Sequence, residues 1–370
     1  MTQQASHTPD VLVIGGGLVG MAVAYGAARD GASVTVLDQG DDAFRASRGN
    51  FGLVWVQGKG AQQLAYARWS LSSAGRWPAF AAQLREETGI DVALRQPGGF
   101  HMCFSEAEWR ARETMLRGMA DALGDYPFEM LDARALKERL PAIGPAVFGA
   151  SYTPMDGHAN PLKLLRALHD GARRRGVRVV HGEHVGRLDA APGRFVAHGR
   201  EGVWRAPRLV LAAGLGNRVL APQVGLHAPV APNRGQVLVS ERVARFLDYP
   251  TINVRQTDEG SVQFGDSMEE VGFDDFTTTD VLRTIAQRGV RTFPCLRDVR
   301  LVRMWAALRV YSPDGLPIYQ ASPSVPGAFV VTCHSGVTLA AAHAGRIAPW
   351  IMGGPAPDAL DVFRGERFLQ

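Results

Sequence analysis

The chain has 370 residues, 46% of them hydrophobic, and a formal net charge of +4. This length exceeds that of one ordinary domain and predicts two, each large enough to bury a hydrophobic core. Its sequence pI of about 9.1 reflects arginine rather than lysine, and the densest basic stretch, residues 173–178, suits the end of a helix better than a nucleic-acid-binding surface.

Cys103, Cys295 and Cys333 lie far apart and form no C-x-x-C pair. This spacing excludes an iron–sulfur or zinc site made from cysteines alone and fits a reducing compartment. Residues 1–9 contain no basic segment followed by an apolar one, so we expect no secretory signal. The uncharged stretch 11–28 is long enough to suggest a membrane span, but its glycines favour a buried strand and helix. We therefore expect a cytoplasmic chain without a transmembrane segment.

The first element along the chain is a predicted strand–turn–helix–strand unit over residues 10–38. Its turn carries Gly15, Gly17 and Gly20 in the pattern G-x-G-x-x-G, and Asp38 ends the second apolar strand. In such a unit the first glycine makes the tight turn, the second lets the backbone approach a pyrophosphate, and the third lets helix and strand pack closely. The helix N-terminus attracts phosphates, and the carboxylate accepts hydrogen bonds from a ribose 2′-hydroxyl. The unit predicts dinucleotide binding, and Asp38 favours NAD or FAD over NADP.

The later elements follow from local patterns. A glycine- and aromatic-rich segment covers residues 46–60, and helical patterns follow it to about residue 88. The helix that begins after the N-cap Asn160 and ends at Gly176 has the clearest signals. Further helices are predicted at residues 105–123, 132–139 and 279–291. Strands are predicted at residues 91–104 (with a turn at Gly98 and Gly99), 177–181, 208–214, 236–240, 261–265 and 300–310, and a strand-to-helix step at 327–336 leads into a helix to about 352.

The order of these elements predicts an α/β fold with two domains. Strands that return to the first sheet come from the start, middle and end of the chain, so a dinucleotide-binding domain is predicted from residues 1–90, 145–228 and 311–370. Residues 91–144 and 229–310 predict an inserted α+β domain built on a mostly antiparallel sheet. An NAD-dependent dehydrogenase normally continues its doubly wound sheet without such insertions, which disfavours that class.

Three further segments make the N-terminal motif more specific: residues 209–214 (LVLAAG), 314–318 (DGLPI) and 334–336 (HSG). In this order after the glycine turn, they resemble the FAD-dependent amine and amino-acid oxidoreductases, a family that includes D-amino-acid oxidase, glycine oxidase and sarcosine oxidase. Residues 47–60 (SRGNFGLVWVQGKG) more particularly resemble the flavoprotein subunits of opine oxidases, D-hydroxyproline dehydrogenase and hydrogen cyanide synthase. The resemblance runs over nearly the whole chain. It implies a Rossmann-like FAD-binding domain assembled from the discontinuous segments, with the inserted domain binding the substrate.

The resemblance also implies how FAD is held. Cys333 lies on a predicted buried strand, in another context than the cysteine that carries covalent flavin in some family members, so non-covalent FAD is expected. The helix after Gly336 is expected to direct its N-terminus at the flavin C2 carbonyl, where it stabilises negative charge on the reduced flavin. The cofactor-binding positions carried over from the family are Gly15, Gly17, Leu18, Val19, Gly20, Asp38, Gln39, Ser47, Arg48, Gly49, Asn50, Gly52, Leu53, Val185, Ala213, Gly214, Arg309, His334, Ser335, Gly336, Val337 and Thr338.

Arg309 and His334 are the catalytic residues that the resemblance implies. Arg309 matches the arginine that binds the substrate carboxylate, and its planar guanidinium suits a carboxylate because it donates two parallel hydrogen bonds. The alternative is an arginine in a surface or interdomain ion pair. Tyr311 and Trp55 are expected to bind substrate, although Trp55 fits a core position equally well. His334 is expected beside the flavin as a positioning or electrostatic group.

Two other polar features have plainer interpretations. His181 and His184 flank a Gly-Glu pair and suggest a metal site, but their spacing lacks the helical pattern of a zinc protease. Polar strand ends are therefore favoured, and no metal is expected. Lys59, one of only three lysines, either influences oxygen reactivity at the flavin or is a solvated loop lysine, and the second interpretation is favoured.

The implied function is oxidation of the C–N bond of an amino acid, secondary amine or opine to an imine, by hydride transfer to flavin N5. The subgroup favours the catalytic subunit of a D-hydroxyproline- or opine-type dehydrogenase complex, whose other subunits accept electrons on flavin or iron–sulfur centres. A stand-alone glycine or D-amino-acid oxidase that uses oxygen, and a non-catalytic FAD-binding scaffold subunit, stay open as alternatives. The expected substrate is a small carboxylate-bearing amine, and any contact with the inner membrane is expected through the partners.

Overall fold

The computed structural model describes residues 8–40 and 45–369. Residues 1–7 lie outside these ranges, and they make up most of the segment on which the expectation of no secretory signal depends. The strands are β1 (Val11–Ile14), β2 (Val34–Asp38), β3 (Leu53–Val54), β4 (Gly99–Cys103), β5 (Glu129–Asp132), β6 (Gly149–Thr153), β7 (Gly157–His158), β8 (Arg178–His181), β9 (Arg187–Ala191), β10 (Arg194–His198), β11 (Val203–Ala206), β12 (Leu209–Leu211), β13 (Ala231–Arg242), β14 (Val254–Gln256), β15 (Ser261–Phe264), β16 (Leu301–Tyr311), β17 (Ile318–Ala321) and β18 (Ala328–Thr332). The α-helices are α1 (Leu18–Arg29), α2 (Leu64–Thr88), α3 (Glu106–Leu123), α4 (Ala133–Arg139), α5 (Pro161–Arg174), α6 (Asn217–Leu220), α7 (Thr279–Thr292), α8 (Ala340–Ala342) and α9 (Ala348–Ile351).

A six-stranded sheet in the order β17-β18-β12-β1-β2-β8 forms the centre of the cofactor-binding part. All neighbouring strands in it run parallel except β17, which is antiparallel to β18. Val11 and Val13 pack on one side with α1 and α5, while Leu12 and Ile14 pack on the other side in a second core cluster. β1 is therefore buried on both faces, as is typical of a parallel strand. The predicted α/β fold, with strands returning from the middle and end of the chain, is confirmed.

A three-stranded antiparallel sheet, β11-β10-β9, lies between β8 and β12 in the chain and is not among the predicted elements. Leu188, Phe195 and Ala197 of this sheet are buried against Leu12 and Leu211 of the central sheet. Their strands are only four or five residues long, and the buried positions alternate with exposed or half-buried ones. So short an alternating pattern gives a weak signal in the sequence alone.

The inserted part contains two antiparallel sheets, β14-β15-β13-β16 and β4-β6-β5. They share one core cluster, in which Phe100 of the smaller sheet packs with Leu238, Phe264 and Phe293. The structure thus places β6 with the predicted substrate-binding domain, whereas the sequence predicts residues 145–228 in the cofactor-binding domain. The physical reason is long-range pairing, since β6 lies between β4 and β5 and hydrogen-bonds to both.

Element boundaries follow local chemistry where a cap is present. The Asn160 side chain accepts hydrogen bonds from the backbone of Leu162 and Lys163, so α5 begins at Pro161 as predicted. The C-terminal helix differs from its prediction, because α8 begins only at Ala340 and a π-helical turn (His343–Ile347) separates it from α9. Within the described residues, no helix combines the length and the apolar character that crossing a membrane requires.

Candidate active site

A cavity of about 660 Å³ runs along the carboxyl ends of β1, β2, β12 and β18. This edge is where open parallel α/β sheets bind their ligands. Leu308 and Val310 of β16 form part of the wall, so the inserted part closes one side of the cavity. The predicted cofactor-binding residues that line it are Gly15, Gly17, Leu18, Val19, Asp38, Gln39, Ser47, Arg48, Asn50, Val185, Ala213, Gly214, His334 and Gly336.

The glycine turn presents bare backbone to this cavity. Gly15 has a φ of +109°, and a Cβ there would lie 2.3 Å from the carbonyl oxygen of Ala212. A Cβ on Gly17 would lie 2.7 Å from Ser47 Oγ, which accepts a hydrogen bond from the Leu18 backbone N–H at 2.9 Å. Gly20 lies behind the turn, where a Cβ would lie 1.9 Å from the carbonyl oxygen of Gly15. A side chain at any of these three positions would collide with neighbouring atoms, so only glycine fits there, and the space in front of the turn is part of the cavity.

Asp38 marks one end of the cavity, directly after β2. One of its carboxylate oxygens accepts the Gly16 backbone N–H at 2.6 Å and the other accepts the Gly40 backbone N–H at 2.9 Å. Each carboxylate oxygen can accept a further hydrogen bond, so Asp38 retains acceptor capacity toward a ligand. Beside it, the side-chain amide of Gln39 lies 3.0 Å from Nδ1 of His184.

His334 marks the other end of the cavity. Its ring stacks on the ring of Tyr311 with centroids 4.6 Å apart, and its Nε2 lies 3.1 Å from Ser335 Oγ. Burial lowers the pKa of His334 to about 3, with the charges of Lys59 and Arg309 adding to the effect. The imidazole is therefore neutral at physiological pH, and it can position a ligand without supplying positive charge.

Arg309 lies near this end of the cavity but does not line it. Its Nη1 donates to Asp266 at 2.6 Å, and its Nη2 donates to Asn233 at 2.7 Å and to the backbone carbonyl of Ser267. The Arg309 guanidinium carbon lies 5.6 Å from the centre of the Tyr311 ring. Arg309 is thus an ion-paired arginine beside the His334–Tyr311 stack. The sequence contains no local motif that would have indicated Asp266, because Asp266 reaches Arg309 only through the pairing of β13 with β15 and β16.

Comparison with known proteins settles the family. Residues 10–350 match the family model described as FAD dependent oxidoreductase. The chain belongs to this family. It is 44% identical over 361 residues to an opine oxidase subunit of Agrobacterium tumefaciens (strain Ach5), with 97% of both chains covered, and 42% identical to the protein of the same name from Rhizobium meliloti. The crystal structure of glycine oxidase from Geobacillus kaustophilus superposes with a TM-score of 0.91 at 23% identity, covering 97% of this chain and 98% of that one, and supports the fold.

The oxidoreductase therefore uses FAD, as the motifs predict, and the cavity fits this cofactor. Its volume of about 660 Å³ lies within the usual range for ligand and cofactor sites. The bare backbone at Gly15 and Gly17 suits a pyrophosphate, and the acceptor oxygens of Asp38 suit ribose hydroxyls. His334 and Gly336, at the opposite end, would then border the flavin. When bound, FAD would supply an acceptor for two electrons.

Several predicted site residues do not line the cavity. Thr338 Oγ1 joins two chain segments, because it accepts the Trp55 backbone N–H at 3.2 Å and donates to the Leu53 carbonyl at 3.2 Å. Trp55 is 3% exposed, so it occupies a core position rather than an open pocket. The predicted site residues that do not line it are Gly20, Gly49, Gly52, Leu53, Trp55, Arg309, Tyr311, Ser335, Val337 and Thr338.

Lys59 does not line the cavity either, but it is half-buried with its amine hydrogen-bonded to other side chains, which differs from the favoured interpretation of a solvated loop lysine. Its Nζ donates to Ser335 Oγ at 2.5 Å and to Thr338 Oγ1 at 3.3 Å. Burial lowers the pKa of the amine to about 8. The sequence shows Lys59 only as part of a glycine-rich turn, and its inward orientation depends on contacts with residues almost 280 positions later.

The described residues contain no group of three or more His, Cys, Asp or Glu side chains placed to hold a metal ion. His181 and His184 instead line the cavity near Asp38, together with Glu183. Cys333 also lines the cavity, and burial raises the pKa of its thiol to about 12. The thiol is therefore protonated and a poor nucleophile at physiological pH.

Proposed function

We propose that the protein oxidises the C–N bond of an amino acid, secondary amine or opine to an imine. The substrate would lose a hydride from its α-carbon and a proton from its nitrogen, and the bound FAD would supply the acceptor for the hydride and its electron pair. Water then adds to the imine and releases a carbonyl compound and an amine. The names of the relatives at 42–44% identity support the opine class in particular.

The observation that carries this proposal is the meeting of Arg309, Tyr311 and His334 at one end of the cofactor cavity. Tyr311 lies between the other two, stacked on His334 and within 5.6 Å of the Arg309 guanidinium carbon. A guanidinium near the reacting end supports recognition of a carboxylate beside the C–N bond that is oxidised. Asp266 and Asn233 occupy donors of Arg309, so a substrate carboxylate must join or displace Asp266 to bind there.

The other residues at this end favour binding and orientation over proton transfer. His334 is neutral because burial lowers its pKa to about 3, and burial raises the pKa of Tyr311 above its usual value. Neither group exchanges a proton readily near neutral pH. We therefore assign His334 and Tyr311 to positioning the substrate, and the substrate amine reacts in its unprotonated form. Activity should accordingly rise with pH as the substrate amine loses its proton.

We further propose that the chain is the catalytic subunit of a dehydrogenase complex. The two relatives at 42–44% identity are each named as a subunit, which supports an assembly of more than one chain. Flavin or iron–sulfur centres on other subunits would receive the electrons, because the cysteines of this chain are too dispersed to hold a cluster. In this proposal the complex is cytoplasmic and touches the inner membrane only through its other subunits.

Anaerobic reduction of the FAD-loaded protein tests the proposed reaction. The panel contains D-amino acids, D-hydroxyproline, glycine, sarcosine and opines, and bleaching of the flavin absorbance reports hydride transfer from substrate. The expected result is rapid bleaching by one class of carboxylate-bearing amine, with the carbonyl product identified by mass spectrometry. The same amine lacking its carboxylate is the control and should reduce FAD slowly.

Two outcomes would support a different function. Rapid reoxidation of the reduced protein by oxygen, with stoichiometric hydrogen peroxide, would indicate a stand-alone oxidase. FAD that is reduced by dithionite but by no amine in the panel would contradict amine oxidation and favour a scaffold subunit. Slow reoxidation by oxygen combined with fast reoxidation by an artificial acceptor would support the dehydrogenase.

A further inference from the structure

Lys59 is a half-buried cation that the proposed reaction does not use. It lies on the turn between β3 and α2, and its Nζ contacts the hydroxyls of Ser335 and Thr338. Among the described residues, no carboxylate forms an ion pair with this amine, although the charge of Asp156 acts to raise its pKa. A charged amine is costly to bury without an acid partner, so its position calls for a compensating role.

The hydroxyl of Ser335 connects Lys59 to the cavity wall. Ser335 Oγ also lies 2.9 Å from the Tyr66 hydroxyl and 3.1 Å from His334 Nε2. An ammonium group only donates, so Ser335 accepts from Lys59 and keeps one donor and one acceptor position for Tyr66 and His334. His334 and Gly336, on either side of Ser335, line the cavity. The amine is thus separated from the cavity by Ser335, whose two neighbours would border the flavin.

We propose that Lys59 supplies the positive charge that stabilises the reduced cofactor, and so raises the reduction potential of bound FAD. Reduction by two electrons and one proton adds one negative charge to the cofactor. A cation that hydroxyl contacts already hold in place stabilises that charge without reorganising. Lys59 acts through the wall formed by residues 334–336 and is a positioning residue, not a catalytic one. The inference rests on FAD binding, which family membership shows, and not on the identity of the substrate.

Replacement of Lys59 by methionine removes the charge while keeping a side chain of similar length. The midpoint potential of bound FAD is measured in the FAD-loaded protein, by equilibration with reference dyes. We expect Lys59→Met to shift the equilibrium at least tenfold toward oxidised FAD, which is about 30 mV for a two-electron couple. Lys137→Met is the matched control, because Lys137 is exposed and its Nζ bonds only to a backbone carbonyl. That control should leave the potential unchanged.

The pH dependence of the potential gives a second test that needs no substitution at Lys59. Reduction raises the proton affinity of Lys59, so above about pH 8 the wild-type protein should take up one extra proton per two electrons. The potential should then fall by about 30 mV more per pH unit than it does without this proton.

Four titratable groups face Lys59 or its Ser335 contact, and three of them do not titrate between pH 7 and 9.5. Cys333 has a pKa of about 12, His334 of about 3, and the pKa of Tyr66 is raised far above its usual value by burial. Asp156 is the fourth, with a pKa raised by burial to about 7. Asp156→Asn therefore serves as the control: it should retain the additional slope above pH 8, and Lys59→Met should lose it.

Two results would overturn the inference. One is a Lys59→Met protein with full FAD content, an unchanged melting temperature, and a reduction equilibrium within a factor of two of wild type. If Lys59→Met does not fold, the wild-type and Asp156→Asn proteins decide the question: the absence of extra proton uptake above pH 8 in both contradicts a titrating cation beside the flavin. Loss of substrate turnover alone, with the potential unchanged, also counts against it.

Discussion

The contact between Arg309 and Asp266 leads to a prediction with opposite signs for two substitutions. If Arg309 binds the substrate carboxylate, Arg309→Ala should weaken binding by about 2–4 kcal/mol, or roughly 30-fold to 1,000-fold, as is typical when one partner of a buried charge pair is removed. Asp266 lies 2.6 Å from the same guanidinium and repels an incoming carboxylate. Its removal should therefore strengthen binding.

The size of the Asp266 effect follows from Coulomb's law. Two like charges roughly 5 Å apart, at an effective dielectric constant of about 20, repel by about 3 kcal/mol. The Asp266 side chain is 37% exposed, so solvent screening reduces this to about 1 kcal/mol. Asp266→Asn should thus lower the dissociation constant of a carboxylate substrate about fivefold, while Arg309→Ala raises it.

The assay is anaerobic stopped-flow reduction of the FAD, using the amine that bleaches the flavin fastest. The substrate dependence of the bleaching rate yields the dissociation constant separately from the limiting rate. Arg175→Ala is the matched control, because Arg175 also pairs with a carboxylate (Glu87, 2.5 Å) and lies over a tyrosine ring (Tyr25, 5.5 Å), but away from the cavity. Unchanged binding in Arg309→Ala, or weaker binding in Asp266→Asn, would refute this role for Arg309.

Three further predictions concern the cofactor and stability. Gly15→Ala should give protein with little bound FAD, because its Cβ would lie 2.3 Å from a backbone oxygen and its φ is +109°. The control is Gly118→Ala, whose Cβ would point into open space on α3. It should keep FAD and raise the free energy of urea unfolding by about 0.5–1 kcal/mol. Asp38→Ala should weaken FAD binding tenfold or more, since charged hydrogen bonds contribute about 1.5–3 kcal/mol, and an unchanged dissociation constant in a fluorescence titration would contradict this. Burial raises the pKa of Asp156 to about 7, so its protonated form stabilises the fold in acid and this contribution is lost as the pH rises through 7. Urea unfolding between pH 5 and 8 should therefore show a steeper loss of stability in wild type than in Asp156→Asn, and equal slopes would count against a buried neutral Asp156.

The parts that the sequence predicts well depend on neighbours within a few residues. The glycine turn at residues 15–20 is recognisable because positive φ and close backbone packing admit almost no other residue type. Asn160 caps α5 through its own side chain, so that helix boundary is also visible locally. The chain order of such segments, together with the resemblance that they create, was sufficient to predict the α/β fold and the FAD cofactor.

What only the tertiary structure decided is which distant residues meet. Lys59 turns inward because the hydroxyls of Ser335 and Thr338 accept hydrogen bonds from its amine. Arg309 already donates hydrogen bonds to Asp266 and Asn233, which neighbouring chain segments bring beside it. The pairing of β6 with β4 and β5, and the small sheet β11-β10-β9, likewise depend on partners that no local pattern specifies. Sequence periodicity indicates whether a residue is buried. The packing of the whole chain decides how deeply a charged group is buried, which dominates its pKa, and which partners occupy it, which decides whether it is available to a ligand.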